Sequence, residues 1–437
     1  MNRTETFDEL RRSSKVDVCI VGGGINGIST FRELALQGVS VLLVEQNDYC
    51  SGASAALSRM VHGGLRYLEN GEFALVKEAL VERDRLLQNA PHLVAPLPTV
   101  VPIFDTFSGL GNGFLRFIGQ SRKPSRRGAL AVKAGLTIYD VLTRKRKQMP
   151  NHEFRNQKQT LAKWPELDSK VKYSATFYDA RVNHAERIGM ELLAEAKASN
   201  PNALSLNYAN LRLIENGKYQ VVDNLTGEVA DFTPAAIVNA TGGWIDIANH
   251  NLFEPSEIPK RLMGGTKGSH LIVRNEALKN LLDGSMIYYE NADGRICILF
   301  QYLDNVLIGS TDIRVDDPST VRCEDDERDY ILQSLKYVLP NIEIKPEEIV
   351  YQFAGVRPLP ASDDSFTGRI PRDHFCKKIE GSEHRPPVFC LVGGKWTTFR
   401  SFGELAANDV LQHLGRSRLV STADRAIGGG ADYPSDV

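Results

Sequence analysis

The sequence has no paired cysteines and little net charge. Its six cysteines (Cys19, Cys50, Cys297, Cys323, Cys376 and Cys390) are scattered, and none forms a C-x-x-C pair. That spacing excludes a disulfide framework and a zinc ribbon, so no metal is expected and a reducing compartment is. Lys and Arg number 52 against 54 Asp and Glu, a formal net charge of −2. Global charge therefore points neither to nucleic acid nor to an acidic tail. No apolar run approaches the roughly 20 residues of a spanning helix. The N-terminal MNRTETFDELRRSSK carries acids and no apolar centre, unlike a secretory signal. A cytoplasmic protein is expected, soluble or peripheral on the inner face of a membrane. Internal repeats and long low-complexity segments are also missing.

What is present is a large potential core. The 437 residues are 42% hydrophobic, enough for two or three domains. The clearest segment is VDVCIVGGGINGISTFRELALQGVSVLLVEQ. A β-branched run over 16–21 reads as a buried strand, and Gly22, Gly24 and Gly27 form G-x-G-x-x-G. Phe31 and Leu34 lie on a helical face capped by Gly38, and SVLLVE is the next strand, ending at Glu45. Gly22 permits the tight turn, Gly24 lets a pyrophosphate approach the backbone, and Gly27 lets helix pack on strand. The helix N-terminus offers free N–H groups, and Glu45 can accept both ribose hydroxyls. Strand, helix and acid all in place make this a strong dinucleotide signal. FAD and NAD share it. The small, hydroxylated SGASAALSRMVHGG that follows favours a long extended cofactor, as does a later buried strand ending in Ala240-Thr241-Gly242.

Near the end, FCLVGG reads as a third buried strand, and Lys395, Thr397 and Thr398 follow at a turn into a helix. A helix N-terminus with a lysine and hydroxyls suits anions and oxygens. The acid-led RCEDDERDYILQSLKYVL and the segment containing Phe73, Val76, Leu80 and Leu87 read as architectural helices.

Taken in order, GGGINGI, HGGLRYLENGEF, LVKEALVERDRLL, KGSHLIV, GSTD, GVRPL, PRDH and GGKWTTFR resemble the FAD-dependent glycerol-3-phosphate dehydrogenases, of the D-amino-acid-oxidase-like flavoproteins. The resemblance runs from about Asp17 to about Leu414. It implies an α/β protein with a Rossmann-like FAD domain in three pieces, 14–62, 174–250 and 388–415. A substrate domain with a mixed sheet would comprise 63–173 and 251–387. The implied cofactor residues are Gly22, Gly24, Ile25, Asn26, Gly27, Glu45, Gln46, Ser54, Ser58, Arg59, His62, Gly63, Gly64, Ala240, Thr241, Gly242, Gly394, Lys395, Trp396 and Thr397. The FAD is expected to be non-covalent, although His62 sits where relatives that oxidise methylated amines carry a covalent flavin link.

The implied reaction oxidises sn-glycerol 3-phosphate to dihydroxyacetone phosphate and passes electrons to quinone. A phosphate must be held, a hydride must leave carbon, and a proton must leave oxygen. Arginine's fork matches phosphate oxygens, and Arg66, Arg357 and Arg372 sit in turn-rich motifs implied to face the substrate, with Tyr67 beside Arg66. A surface ion pair is the competing fate of each, above all for Arg372 beside Asp373. Thr311 is expected to offer the substrate a hydroxyl. His270 is the expected base or its orienter, since imidazole titrates near neutrality. Arg357 or Lys395 could equally stabilise the developing alkoxide. Rival substrates are other polyol phosphates, and oxygen is a rival acceptor. An amine oxidase is disfavoured by three arginines where one would hold a carboxylate.

Residues 110–147 hold ten Lys or Arg against one acid, Asp140, with Phe114, Leu115, Phe117 and Ile118 nearby. Such a stretch suits an anionic membrane surface. Relatives usually continue into a helical C-terminal domain, whereas here the Gly-rich 416–437 reads as a flexible tail.

Overall fold

Short β-branched runs and the glycine turn dictate the first layer. The computed structural model describes residues 3–64, 72–106, 129, 132–133, 135–137, 149–215, 217–362 and 372–434. Strand Lys15–Val21 lies at the centre of an eight-stranded sheet, paired in parallel with Val41–Val44 on one side and Val229–Asn239 on the other. Val388–Val392 extends the sheet beyond Val229–Asn239, and Ala203–Leu206 closes it beyond Val41–Val44. Alternate residues of the first strand face opposite cores. Val18 and Ile20 pack with Phe31, Phe399 and Phe402. Cys19 and the partly buried Val21 pack with the opposite core, which holds Phe7, Tyr219 and Phe232. A strand buried on both faces is what a continuous apolar run in a parallel sheet means.

Helices Ile25–Leu36 and Phe399–His413 cover the first of these faces. Their Phe31 and Phe402 are fully buried, each contributing roughly 1.5–3 kcal/mol. The sheet thus brings three distant chain pieces side by side. The turns at the carboxyl ends of strands Lys15–Val21, Val229–Asn239 and Val388–Val392 converge, where ligands bind in open α/β sheets.

The second layer is a ten-stranded mixed sheet. Its members include Val94–Ile103, Tyr173–Val182, Thr266–Val273 and Ile349–Arg357, the last antiparallel to Thr266–Val273. Helix Asp325–Leu335 packs Ile331 and Leu335 into its core. Helix Phe73–Asn89 buries Val76 and Leu80 against Phe177, Val132 and Leu136. Phe73, read as part of that apolar face, is instead exposed.

Three boundaries differ from the sequence reading. Strand Tyr173–Val182, expected in the nucleotide domain, pairs with Val94–Ile103 in the second sheet. Strand Phe375–Ile379, expected in the substrate domain, pairs antiparallel with Val388–Val392 in the first. Composition is alike in strands of either sheet, and pairing alone assigns them. The stretch 416–434 is not a loose tail. Gln37 Oε1 accepts from the N–H of Leu419 and Val420 at 2.6 and 3.0 Å, Arg418 pairs with Glu33 at 2.6 Å, and Thr422 donates to Glu33. Ile427 is buried in the first core. The anchors lie nearly 400 residues away in sequence, and glycine content conceals them.

Candidate functional site

A cavity of about 820 Å³ lies between the two sheets. It starts at the glycine turn. Gly22 has φ +102°, and a Cβ there would lie 2.7 Å from the carbonyl oxygen of Ala240. A Cβ on Gly27 would lie 1.9 Å from the carbonyl oxygen of Gly22, so helix and turn meet with no side chain between them. Gly24 caps helix Ile25–Leu36, and the N–H of Ile25 donates to Ser54 Oγ at 3.0 Å. Glu45 accepts from the N–H of Gly23 at 2.6 Å and of Asn47 at 2.7 Å. These bonds fix its carboxylate at the cavity wall beside Gln46.

The later chain pieces close the walls. Trp396 Nε1 donates to the carbonyl of Ser54 at 3.2 Å, and the N–H of His62 donates to Thr397 Oγ1 at 3.3 Å. Asn26 Nδ2 donates to the Gly393 carbonyl at 3.4 Å. Gly22, Gly24, Ile25, Asn26, Glu45, Gln46, Ser54, Ser58, His62, Gly64, Ala240, Thr241, Gly242, Gly394, Lys395, Trp396 and Thr397 all line the cavity. Gly27, Gly63 and Arg59 do not. Gly27 acts through the helix contact. The Gly63 N–H donates to Asp179 Oδ1 at 2.9 Å, and Arg83 Nη1 reaches the same oxygen at 3.3 Å. Arg59, expected at the cofactor, turns away. Its guanidinium makes a two-pronged pair with Glu186, at 2.7 Å for each prong, and lies over the Tyr302 ring. Its carboxylate partner stands on helix Ala185–Ser199, which no local pattern revealed.

At the far end of the cavity the polar groups change character. Arg357, at the end of strand Ile349–Arg357, donates from Nη1 to Asp312 Oδ1 at 3.1 Å. Its Nη2 donates to Ser310 Oγ and to the Thr311 carbonyl, both at 3.1 Å. Arg372 Nη2 lies 3.5 Å from Asp312 Oδ2. Arg357, Arg372, Lys395, His62 and His270 share this end of the lining. Arg66 and Tyr67 lie outside the described residues.

His270 is buried, its ring stacked on Phe353 at 5.1 Å and its Nε2 2.9 Å from Ser58 Oγ. Burial, and then the charge of Arg357, push its pKa down to about 3. It is therefore a neutral imidazole across the physiological range and does not titrate near neutrality, as its residue type alone suggested. Burial also pushes His62 down to about 3, helped by Lys395, Arg372 and Arg83.

Thr311 also lines the cavity. Its hydroxyl donates to Glu327 Oε1 at 2.7 Å and accepts from the Ser269 N–H at 2.9 Å. Both bonds tie the hydroxyl to the scaffold at the cavity wall. Glu327 also accepts from Ser269 Oγ at 2.8 Å and pairs with Lys267 at 2.7 Å. Burial alone would raise its pKa, but the hydrogen bonds from Lys267, Thr311 and Ser269 outweigh this and hold it below the ordinary value.

Sequence reasoning passed over Asp312, Arg295, Asp179 and Glu327. Asp312 was within reach as the last residue of GSTD, a polar turn directly after an apolar strand. Asp179 interrupts an otherwise buried strand, a hint of a paired acid. Arg295, whose Nη1 donates to the Asp312 carbonyl at 3.0 Å, left no local signal.

Residues 17–408 match the family described as FAD dependent oxidoreductase. The chain belongs to the FAD-dependent oxidoreductase family. It is 33% identical to the glycerol-3-phosphate dehydrogenase of Synechocystis sp., over 98% of this chain and 76% of that protein. It is 31% identical to the D-erythritol 1-phosphate dehydrogenase of Brucella abortus, over 89% of this chain and 72% of that protein. The fold is similar to that of the glycerol-3-phosphate dehydrogenase from Bacillus halodurans complexed with FAD. The TM-score is 0.71 at 24% identity, covering 98% of this chain and 70% of that one. FAD is the cofactor of this family member, which is an oxidoreductase with a Rossmann-like FAD domain and a mixed-sheet substrate domain. The donor set fits the group. A side-chain-free glycine turn suits a pyrophosphate, the Glu45 carboxylate suits a ribose, and the cavity continues from there to Lys395. Among the described residues no helix is long and apolar enough to cross a membrane.

Proposed function

We propose that the chain oxidises sn-glycerol 3-phosphate to dihydroxyacetone phosphate and delivers the electrons to a quinone. The supporting observation is the joint presence of Arg357, Arg372 and Lys395 at the end of the cofactor cavity that also holds His270. Curated relatives named for glycerol 3-phosphate and for D-erythritol 1-phosphate favour a phosphorylated polyol.

FAD, when bound, supplies the two-electron acceptor for the hydride that leaves the alcohol carbon. In this reading Arg357 and Arg372 hold the phosphate through charge-assisted hydrogen bonds. Neutral His270 presents a lone pair to the substrate hydroxyl and receives its proton. The Lys395 ammonium stabilises the oxygen as negative charge develops on it. A phosphate dianion beside Arg357 offsets one of the two causes of the depressed His270 pKa, so substrate binding itself makes the imidazole more basic. The basic stretch 110–147 supports an anionic membrane surface as the place of electron delivery. Within it, Ala129, Val132 and Leu136 are buried in the second sheet's core, and its cationic ends lie outside the described residues.

Anaerobic flavin bleaching with a panel of substrates tests this directly. sn-Glycerol 3-phosphate should bleach the flavin faster than D-erythritol 1-phosphate, and both faster than glycerol. Bleaching by glycine or D-amino acids alone would overturn the assignment. Rapid reoxidation by a quinone analogue and slow reoxidation by oxygen is the expected acceptor pattern.

A further inference from the structure

We propose that Asp312 is a positioning residue that sets specificity for phosphate, its carboxylate gathering Arg357 and Arg372 into one anion clamp. This rests on the phosphorylated-substrate reading above. The two arginines come from separate parts of the chain, one ending strand Ile349–Arg357 and the other preceding strand Phe375–Ile379. Two guanidiniums facing one cavity repel each other, and an anion between them is needed to hold both there. Asp312 has that place. Oδ1 lies 3.1 Å from Arg357 Nη1 and Oδ2 lies 3.5 Å from Arg372 Nη2.

The turn that carries Asp312 is itself held from two directions. Arg295 donates to its backbone carbonyl at 3.0 Å. Behind the turn, Thr311 is tied to the buried Glu327 at 2.7 Å. The same turn supplies three acceptors to Arg357, namely Ser310 Oγ, the Thr311 carbonyl and Asp312 Oδ1. Arg357 is therefore locked in orientation. Arg372, at the longer distance, is the looser member and can shift toward an arriving anion. A surface ion pair would join one arginine to one exposed acid. Here one acid joins two arginines, and all three side chains are largely buried yet line the cavity. A carboxylate ligand needs a single fork, whereas a phosphate dianion with three oxygens uses two.

The opposite role for Asp312 is that of a competing anion that weakens phosphate binding, and the two roles differ in sign. The experiment uses FAD-loaded enzyme. Inorganic phosphate binding is read from the change in flavin absorbance, and KM and kcat are measured with sn-glycerol 3-phosphate. Asp312→Ala should raise the phosphate Kd and the substrate KM at least tenfold, with KM rising by a larger factor than kcat falls. Asp312→Asn keeps one acceptor oxygen and loses the charge, so it should fall between wild type and alanine; being isosteric, it carries the test if the alanine variant folds poorly. An unchanged or lower phosphate Kd in Asp312→Asn overturns the clamp, as does a loss of flavin content with no split between KM and kcat. A wild-type enzyme that neither binds phosphate nor is bleached by phosphorylated polyols sinks the substrate reading and the clamp together. Phosphate binding present in the wild type and unmoved in both variants sinks the clamp alone.

Discussion

Ser58 Oγ lies 2.9 Å from His270 Nε2, joining the chain that follows the glycine motif to strand Thr266–Val273 of the second sheet. The bond and the Phe353 stack bury an imidazole whose pKa falls to about 3. The unfolded chain takes up a proton near pH 6.5 and the folded one does not. Stability therefore falls as pH drops below about 6.5, by about 2 kcal/mol at pH 5 from this group. His270→Gln should lose less Tm than wild type between pH 7 and pH 5. In catalysis, a limb of kcat/KM near pH 6 should come from the second ionisation of the substrate phosphate and persist in His270→Gln, while flavin reduction slows. A limb that vanishes with His270 would show that the imidazole titrates near neutrality after all.

Gly24 and Gly27 should fail in different ways. A Cβ on Gly27 collides with the Gly22 carbonyl, whereas one on Gly24 meets only Ser54 Oγ at 3.2 Å. Gly27→Ala should cost roughly 1–3 kcal/mol or more of stability by overpacking, lowering Tm and losing FAD with it. Gly24→Ala should leave the Tm of the FAD-free chain close to wild type and weaken FAD retention. Differential scanning fluorimetry with and without FAD separates the two, and equal Tm losses would contradict the distinction.

Arg357→Ala removes one cation of the proposed clamp and leaves Asp312 without its nearer guanidinium. Efficiency with phosphorylated substrate should drop by the equivalent of roughly 2–5 kcal/mol, mostly through KM. Steady-state kinetics that match wild type on every phosphorylated alcohol would remove Arg357 from the site.

Changing Arg144, Lys145, Arg146 and Lys147 together to glutamine should reduce co-sedimentation with anionic liposomes. Each cation near such a surface is worth about 1 kcal/mol, and binding by the wild type should fall as salt shrinks the Debye length. Flavin reduction by substrate should stay intact, because none of the four is among the residues proposed to hold substrate or FAD. Equal liposome binding by both proteins would end the membrane assignment.

The sequence by itself determined the nucleotide site and the family. Strand, glycine turn, helix and acid are contiguous over some thirty residues, so local spacing encodes their geometry, and Gly22, Gly24 and Glu45 line the cavity as their order implied. The convergence of Thr241 and Lys395 on that site was legible too, because buried strands ending in small polar turns mark the carboxyl edge of a parallel sheet. Tertiary structure alone decided the rest. Arg59 looked like a cofactor contact until Glu186, 127 residues away, claimed it. Thr311 lines the cavity as its motif implied, but that its hydroxyl proton goes to Glu327 was not legible in the sequence. The basicity of His270 depends on how deeply Phe353 and Arg357 enclose it, and 416–434 is docked by side chains near the other end of the chain. Hydrogen-bond partners and desolvation are properties of what packs around a group, and residues far apart in sequence supply them.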